Sequence, residues 1–218
     1  MKTKLLFGLA LLATLGMTSC KKDKDEPKEA TTVKIGDKDY AIVKIGDQTW
    51  TAQNYSGEGG VYYNNDNSMP EYGKLYTFNE ASAIQLPAGW RLPTKEDYKK
   101  LFEAQGATFT EEDDDVFGTS NSVDAIKKLM ATTGWDNEQG TNTTGFNSYP
   151  AGYGVGTNFR DKGSLGAHWT SSKDVENYPF YFAITEDEDN NGAMKPAAEY
   201  SPIEASYKLS IRFVKDNN

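Results

Sequence analysis

The 218-residue chain has very little thiol and imidazole chemistry: one cysteine, Cys20, and one histidine, His168. Beyond residue 20 no thiol remains, which excludes a disulfide framework and cysteine catalysis from that part of the chain. A single histidine is also too few for a metal cluster built from imidazole ligands. Reactions that depend on thiolates or on several histidines are therefore unavailable to the main part of the sequence.

Positive charge and long apolar runs are scarce as well. The chain has 23 Lys and Arg against 32 Asp and Glu, a net charge of −9. Nucleic-acid binding depends on basic side chains that neutralise phosphates, so nucleic acid is not an expected partner. The longest apolar run, LLFGLALLATLGM, has thirteen residues, fewer than the roughly 20 that cross a bilayer as a helix.

The amino terminus has the pattern of an exported protein. Lys2 and Lys4 precede the apolar run, and the small residues of MTSC close it at Cys20. MTSC resembles the lipobox of bacterial lipoproteins, in which the cysteine is lipidated and becomes the first residue. We therefore expect a signal peptide at 1–19 and a membrane anchor at Cys20, because several acyl chains hold a protein firmly on a bilayer. The alternative is an ordinary signal peptide with a chance cysteine.

Residues 20–32 carry the lipidated cysteine and a linker. KKDKDEPKEATT, residues 21–32, is charged and has no apolar residue that could join a core. It resembles the surface-export signal of lipoproteins from Bacteroidetes. We expect the protein on the outer membrane, facing the cell exterior; the alternatives are a plain spacer and a periplasmic location.

The remainder, residues 33–218, predicts one α+β domain. Two VKIGD repeats, at 33–37 and 43–47, indicate strands that end in Gly-Asp turns. Capping-box pairs at Thr77 with Glu80 and at Thr94 with Asp97 predict helices that begin at about 78 and 95. Apolar residues at helical spacing predict a third helix at about 123–132, with Ser122 or Asn121 as its cap.

Three strands are predicted later in the chain, at AHWTSS, at Tyr178–Thr185 and at Ser206–Val214. In the last of these, apolar and polar residues alternate, which is typical of a half-buried antiparallel strand. The stretch RLPTKEDY is predicted to form a corner followed by a capped helix, and every residue in it has a role in folding. We interpret it as scaffold rather than as an active site.

Several motifs in register carry a family resemblance: IGDQTWTAQN, YGKLYTFNEA, LPAGWRLPTKEDYKKL, TTGFNSYPAGY, AHWTSS and LSIRFVKD. In this order they resemble the Fibrobacter succinogenes major paralogous domain over about 33–216, a family found mostly in secreted and lipid-anchored proteins. RLPTKEDY and AHWTSS are also similar to sulfatase-modifying-factor and C-type-lectin-like domains. The resemblance implies a C-type-lectin-like fold with small antiparallel sheets, two to three helices and long irregular loops. Such a fold does not decide function.

Calcium is the one cofactor for which the sequence offers a pattern; no other is expected. Asp187, Asp189 and Asn191 have the first spacings of an EF-hand loop, but the twelfth position is Ala198 instead of an acidic residue. Two interpretations stay open for this run, an irregular oxygen-lined site and a solvated acidic loop.

Aromatic residues on loops are the candidate ligand contacts, because rings can stack on sugar faces. The candidates are Tyr62, Tyr63, Tyr149, Tyr153 and Trp135; the alternative is that they fill the core. We therefore expect a non-enzymatic, lipid-anchored binding or adhesion module for glycan or protein, acting through the loops at 135–165. The alternative from another class is a hydrolase or modifying enzyme built from carboxylates and His168.

Overall fold

A computed structural model gives the architecture of residues 31–112 and 116–217. The predicted signal peptide, Cys20 and nearly all of the linker lie outside the described residues, as do Asp113–Asp115 of an acidic loop. Within the described ranges, no helix is long and apolar enough to cross a membrane. The first strand begins at Thr32.

The first sheet joins the two ends of the described chain. Gly36 and Gly46 form its two tight turns with φ of +62° and +57°, a conformation that glycine adopts without steric cost. The turns that the VKIGD repeats predict are therefore confirmed. The sheet is antiparallel with the strand order β1–β2–β3–β11: β1 (Thr32–Ile35), β2 (Lys38–Ile45), β3 (Gln48–Thr51) and β11 (Val214–Asp216).

A second antiparallel sheet forms the centre of the molecule, and a small hairpin lies beside it. The sheet has the order β4–β5–β10–β9–β8: β4 (Thr110–Glu112), β5 (Phe117–Ser120), β10 (Met194–Pro202), β9 (Pro179–Glu188) and β8 (Gly166–Lys173). The hairpin consists of β6 (Tyr153–Val155) and β7 (Asn158–Arg160).

The central strand β10 was not expected from the sequence, because its two prolines are typical of loops. Pro196 and Pro202 cannot donate backbone hydrogen bonds. Strand β5, however, pairs with β10 only over Ala198–Tyr200. Both prolines therefore lie outside the stretch that is paired on both sides, which is the place where a sheet tolerates them.

In the part of the chain that the structure describes, three α-helices flank the sheets: α1 (Phe78–Ala83), α2 (Lys95–Glu103) and α3 (Val123–Lys127). Both predicted capping boxes are present, at Thr77 and Thr94. The third helix is shorter than the predicted 123–132. Its last turn is replaced by a backbone bridge between Met130 and Ser148, and the Ser122 hydroxyl accepts from Thr108 N instead of capping α3.

Two hydrophobic clusters fill the space on either side of the central sheet. On one face, Phe182 of β9 packs against Tyr98 and Phe102 of α2, with ring centroids 5.2 and 4.9 Å apart. On the other face, Ala183 of β9 joins a cluster that contains Trp169 of β8. Successive side chains of a strand point to opposite faces, so a single strand serves both clusters.

The closing segment, residues 206–214, differs from its prediction. Its backbone makes isolated bridges at Lys208, Leu209 and Ser210 before β11 begins. Ser210 and Arg212 are fully buried, although their alternation with apolar residues indicated a solvent-facing side. The segment is buried on both sides because it runs between the two sheets. Its Leu209 forms a backbone bridge with Tyr76, and its Ser210 forms one with His168.

The RLPTKEDY corner is a structural clamp. The Asp97 carboxylate accepts hydrogen bonds from Arg91 Nη2 at 3.0 Å, Thr94 N at 2.6 Å and Gln48 Nε2 at 2.6 Å. Arg91 Nη2 also forms an ion pair with Asp216 Oδ2 at 2.9 Å. Burial alone would raise the pKa of Asp97, but the bonds from Arg91 and Thr94 outweigh it and lower that pKa. The clamp ties the start of α2 to β3 and β11.

Two buried tyrosines give a matched test of the packing. The Tyr98 hydroxyl has no partner, whereas the Tyr76 hydroxyl donates to Gly57 O at 3.2 Å. A buried unpaired hydroxyl is unfavourable, while a paired one contributes about 1 kcal/mol. We expect Tyr98→Phe to preserve or raise the free energy of unfolding, and Tyr76→Phe to lower it by about 1 kcal/mol in denaturant titrations. Equal losses in the two variants would contradict this assignment.

Candidate functional site

The five candidate aromatic residues lie in three different environments. Trp135 is a core residue, 3% exposed, whose indole N–H donates to Ser148 O at 3.2 Å. The enclosed side chain therefore offers almost no surface for the ligand contact that the sequence predicts at Trp135. Tyr62, Tyr63, Tyr149 and Tyr153 are all half-buried and keep part of each ring at the surface.

An aromatic loop surface brings two of these tyrosines together. We define it as Tyr63, Tyr72, Tyr149, Phe159 and Lys162. The centroids of Tyr63 and Phe159 are 5.4 Å apart, and those of Tyr72 and Tyr149 are 5.0 Å apart. Lys162 joins the two pairs, since its Nζ lies 5.6 Å from the Tyr63 centroid and 4.8 Å from that of Tyr72.

Short 3₁₀ turns and a hairpin position this surface. Tyr63 begins the turn Tyr63–Asn65, and Tyr72 ends the turn Pro70–Tyr72. Phe159 lies in β7, which packs against the first of these turns. Tyr62 is adjacent and has its own cation, Lys74 Nζ, at 5.5 Å. Sequence reasoning missed the contributions of Tyr72 and Lys162 because their partners are far away in the chain.

The aromatic loop surface has the composition of a recognition site. Aromatic residues and methionine are enriched where proteins bind partners. Met69 is 44% exposed, and its Sδ lies 3.0 Å from Lys162 Nζ. Burial, with a smaller effect from Glu71, raises the pKa of Tyr72. Its phenol is therefore neutral at physiological pH and can donate a hydrogen bond.

Tyr153 lies elsewhere, in a tyrosine cleft that we define as Tyr153, Tyr181, Tyr207, Asp161 and Glu199. These residues line a cavity of about 370 Å³. Tyr153 and Tyr207 are stacked with centroids 5.7 Å apart and planes at 22°. Tyr181 donates its hydroxyl to Glu199 Oε1 at 2.6 Å. Tyr181 and Tyr207 were missed because both lie in segments that the sequence predicts as strands, whereas candidates were sought on loops.

A larger cavity, of about 770 Å³, lies under the loop at 56–59. Its two lysines are already engaged, because Lys38 Nζ donates to Ser56 O at 2.8 Å and Lys74 Nζ to Gly57 O at 2.9 Å. These bonds hold the loop against the domain. The polar groups of this cavity therefore have a structural role, and size alone does not make it the better candidate.

The candidate metal ligands lie at the turn between β9 and β10. Asp187 belongs to β9, opposite Lys195. Asp189 Oδ1 accepts from the backbone N–H of Asn191 at 2.8 Å and of Ala193 at 3.0 Å. Among the described residues, no group of three or more His, Cys, Asp or Glu side chains is placed to hold a metal ion. The observed role of Asp189 is to close a hairpin turn.

A buried polar centre, formed by Arg212, Asn54, His168 and Ser210, lies between the sheets. The guanidinium of Arg212 donates to Asn54 Oδ1 at 2.6 Å. It also donates to three carbonyls, each at 2.8 Å, those of Thr51, Phe146 and Asn147. Burial lowers the pKa of Arg212 to about 9, so the side chain stays charged at neutral pH.

His168 is part of this centre rather than of an open site. Its Nε2 lies 3.2 Å from Asn54 Oδ1, and its ring stacks on Tyr98 at 5.9 Å. Since Asn54 Oδ1 can only accept, the proton of the neutral ring is on Nε2. Burial and the nearby Arg212 charge lower the pKa of His168 well below its usual value. These contacts place His168 in the interior, where the residue is 3% exposed.

The lowered pKa of His168 predicts a pH-dependent stability. The pKa of His168 is about 6.5 in the unfolded chain and much lower in the folded one. At a pH between these two values the unfolded chain binds one more proton than the folded chain, so the free energy of unfolding decreases as the pH falls below about 6.5. We expect the free energy of unfolding to decrease by about 1 kcal/mol from about pH 7 to about pH 5.5. His168 is the only histidine, so denaturant titrations of His168→Gln provide the control. An equal pH slope in that variant would show that another group is responsible.

Comparison with known proteins places the chain in a family. The family model of the Fibrobacter succinogenes major domain matches residues 43–215. Neither the curated proteins nor the solved structures yield a match. The matched range begins within β2 and ends within β11, and it includes the RLPTKEDY corner, the aromatic loop surface and the buried polar centre. The chain therefore belongs to the Fibrobacter succinogenes major domain family.

Proposed function

We propose that this protein is a non-enzymatic binding or adhesion module, lipid-anchored through Cys20 and facing the exterior of the outer membrane. Its ligand is a glycan or a protein. A periplasmic orientation is the alternative location. The charged run that follows Cys20 supports export to the surface, and the linker, about twelve residues long, separates the domain from the bilayer by up to roughly 40 Å when extended.

The arrangement of the elements supports a C-type-lectin-like architecture. Strand β3 near the start pairs with β11 at the end, and the helices flank the sheets. Long segments with little regular structure connect α3 to β6 and β3 to α1. In this architecture the paired ends would face the linker and the membrane, and the irregular loops would be left for recognition.

The observation that carries the proposal is the aromatic loop surface. It contains four aromatic rings and one cation from three separate chain segments, and Met69 lies exposed beside it. Aromatic residues of this kind supply most of the binding energy at many interfaces. The rings are partly fixed by each other and by Lys162, so little conformational entropy is lost on binding.

The experiment compares the wild type with the double variant Tyr63→Ala/Tyr149→Ala. Full-length protein purified in detergent is applied to two panels, a glycan array and an array of bacterial surface proteins. We expect a ligand in one of the two panels and affinity at least about tenfold lower in the double variant. Tyr178→Ala is the matched control, because Tyr178 is 44% exposed and lies outside this surface. It should bind like the wild type.

A second assay measures ligand binding by intact cells that express the protein, and it therefore also tests the lipid anchor at Cys20. A Cys20→Ser variant should lose the cell-associated signal, and added protease should remove the signal of the wild type. Absence of a ligand in both panels, or full binding by the double variant, would contradict the proposed function. Retention of Cys20→Ser on the cells would contradict the lipid anchor alone.

A further inference from the structure

We propose that the tyrosine cleft is a second binding site, separate from the aromatic loop surface, which takes a small organic cation bearing an ammonium group. The proposal goes beyond the module's proposed function because it concerns a different cavity and another class of ligand. It rests on how three chain segments meet, on the charge of the cavity lining, and on the arrangement of its rings.

The cleft lies on one face of the central sheet, over its inner strands β9 and β10. Tyr181 of β9 and Glu199 of β10 belong to the face opposite Phe182, that is, the face away from α2. Tyr207 comes from the closing segment, and Tyr153 from the β6–β7 hairpin. Residues from distant parts of the sequence thus converge on a cavity of about 370 Å³. This volume is near the lower end for small-molecule sites, which favours a ligand of monosaccharide size or smaller.

The lining of the cleft is anionic. Asp161 and Glu199 line it, and within the described part of the chain its lining includes no Lys or Arg. Two cations lie nearby without lining the cavity: Lys208, whose Nζ donates to Gly156 O at 2.6 Å, and Arg160, which pairs with Tyr153 across the β6–β7 hairpin. Glu199 Oε1 accepts from Tyr181, which leaves Oε2 available to a second donor. Two carboxylates in a lining without basic side chains favour a cationic ligand over a neutral or anionic one.

The aromatic walls suit the same ligand. A cation close to the face of a tyrosine is attracted by the quadrupole of the ring, and aromatic sites of this kind recognise organic ammonium groups. Tyr153 and Tyr207 are stacked in parallel, so the outer face of the pair can meet a ligand. Burial, with a smaller effect from Glu199, raises the pKa of Tyr181. Tyr181 therefore stays neutral and adds no negative charge.

Asp161 is held in place by its backbone. Its φ is +59°, in the left-handed region that few non-glycine residues adopt. Its carbonyl accepts from Ser164 N at 3.2 Å and Leu165 N at 3.0 Å, and this turn fixes the conformation. The carboxyl group therefore stands at the rim of the cleft on a rigid turn instead of a flexible loop.

The test uses matched cationic and neutral probes on the full-length protein in detergent. Calorimetry compares choline with 3,3-dimethyl-1-butanol, and glucosamine with N-acetylglucosamine. We expect at least one cation to bind at least about tenfold more tightly than its neutral partner, because only the cation gains from the carboxylates and rings. The two pairs distinguish a quaternary from a primary ammonium ligand.

Variants then assign the binding to the cleft. Glu199→Gln keeps the shape and the acceptor for Tyr181 but removes the charge, and we expect it to weaken cation binding at least about fivefold. Tyr153→Ala should do the same by removing one ring. Glu103→Gln, an exposed change on α2 across the sheet, should bind like the wild type. Circular dichroism establishes that each variant is folded.

Three outcomes would overturn the proposal. They are equal affinity for cation and neutral partner in both pairs, no binding of either cation, and full affinity in folded Glu199→Gln. None of them bears on the aromatic loop surface, whose variants Tyr63→Ala and Tyr149→Ala lie outside the cleft.

Discussion

The buried guanidinium of Arg212 is the interaction on which the rest of the structure depends. A charge inside a protein is costly unless its donors are matched by acceptors. Here the acceptors are three backbone carbonyls and Asn54 Oδ1, at 2.6–2.8 Å, and the Phe146 ring lies 4.7 Å from the guanidinium carbon. The carbonyls come from two places in the chain, Thr51 at the end of β3 and the adjacent residues Phe146 and Asn147. One side chain therefore fixes the end of β3 and the loop at 146–147 relative to each other.

This centre helps to position the aromatic loop surface. Asn54, which accepts from Arg212, donates through Nδ2 to Tyr72 O at 2.9 Å. The carbonyl of Asn147, also bonded to Arg212, is two residues from Tyr149. The two tyrosines of one aromatic pair thus come from segments that share the same buried cation. The tyrosine cleft depends on the central sheet and the β6–β7 hairpin, and the same hairpin supplies Phe159 to the aromatic loop surface.

Local patterns in the sequence predicted the parts of the fold that depend on neighbouring residues. The capping boxes at Thr77 and Thr94 and the glycine turns at Gly36 and Gly46 require only a few adjacent side chains, and all are present. The parts that were missed depend on distant partners. Strand β10 was missed because the effect of its prolines depends on where β5 ends.

The same distinction applies to the candidate sites. Alternation in the closing segment indicated that Arg212 faces solvent, whereas carbonyls from three other positions enclose it. Trp135 was a ligand candidate as an aromatic residue in a predicted loop, but its side chain is buried and its indole N–H donates to Ser148 O. Tyr149 and Tyr63 were recognised as candidates, while their contact through Tyr72 and Lys162 is a property of the tertiary structure alone.

The most direct test of this account is hydrogen exchange of the amides in the loop at 142–149 in Arg212→Met, with Arg160→Met as an exposed control. If Arg212 fixes this loop, exchange at Ser148 N, which donates to Leu129 O at 2.9 Å, should accelerate at least about tenfold, because local opening becomes easier. Amides that pair β9 with β10 should change little. Unchanged exchange throughout the loop in Arg212→Met would contradict the central role of the buried cation.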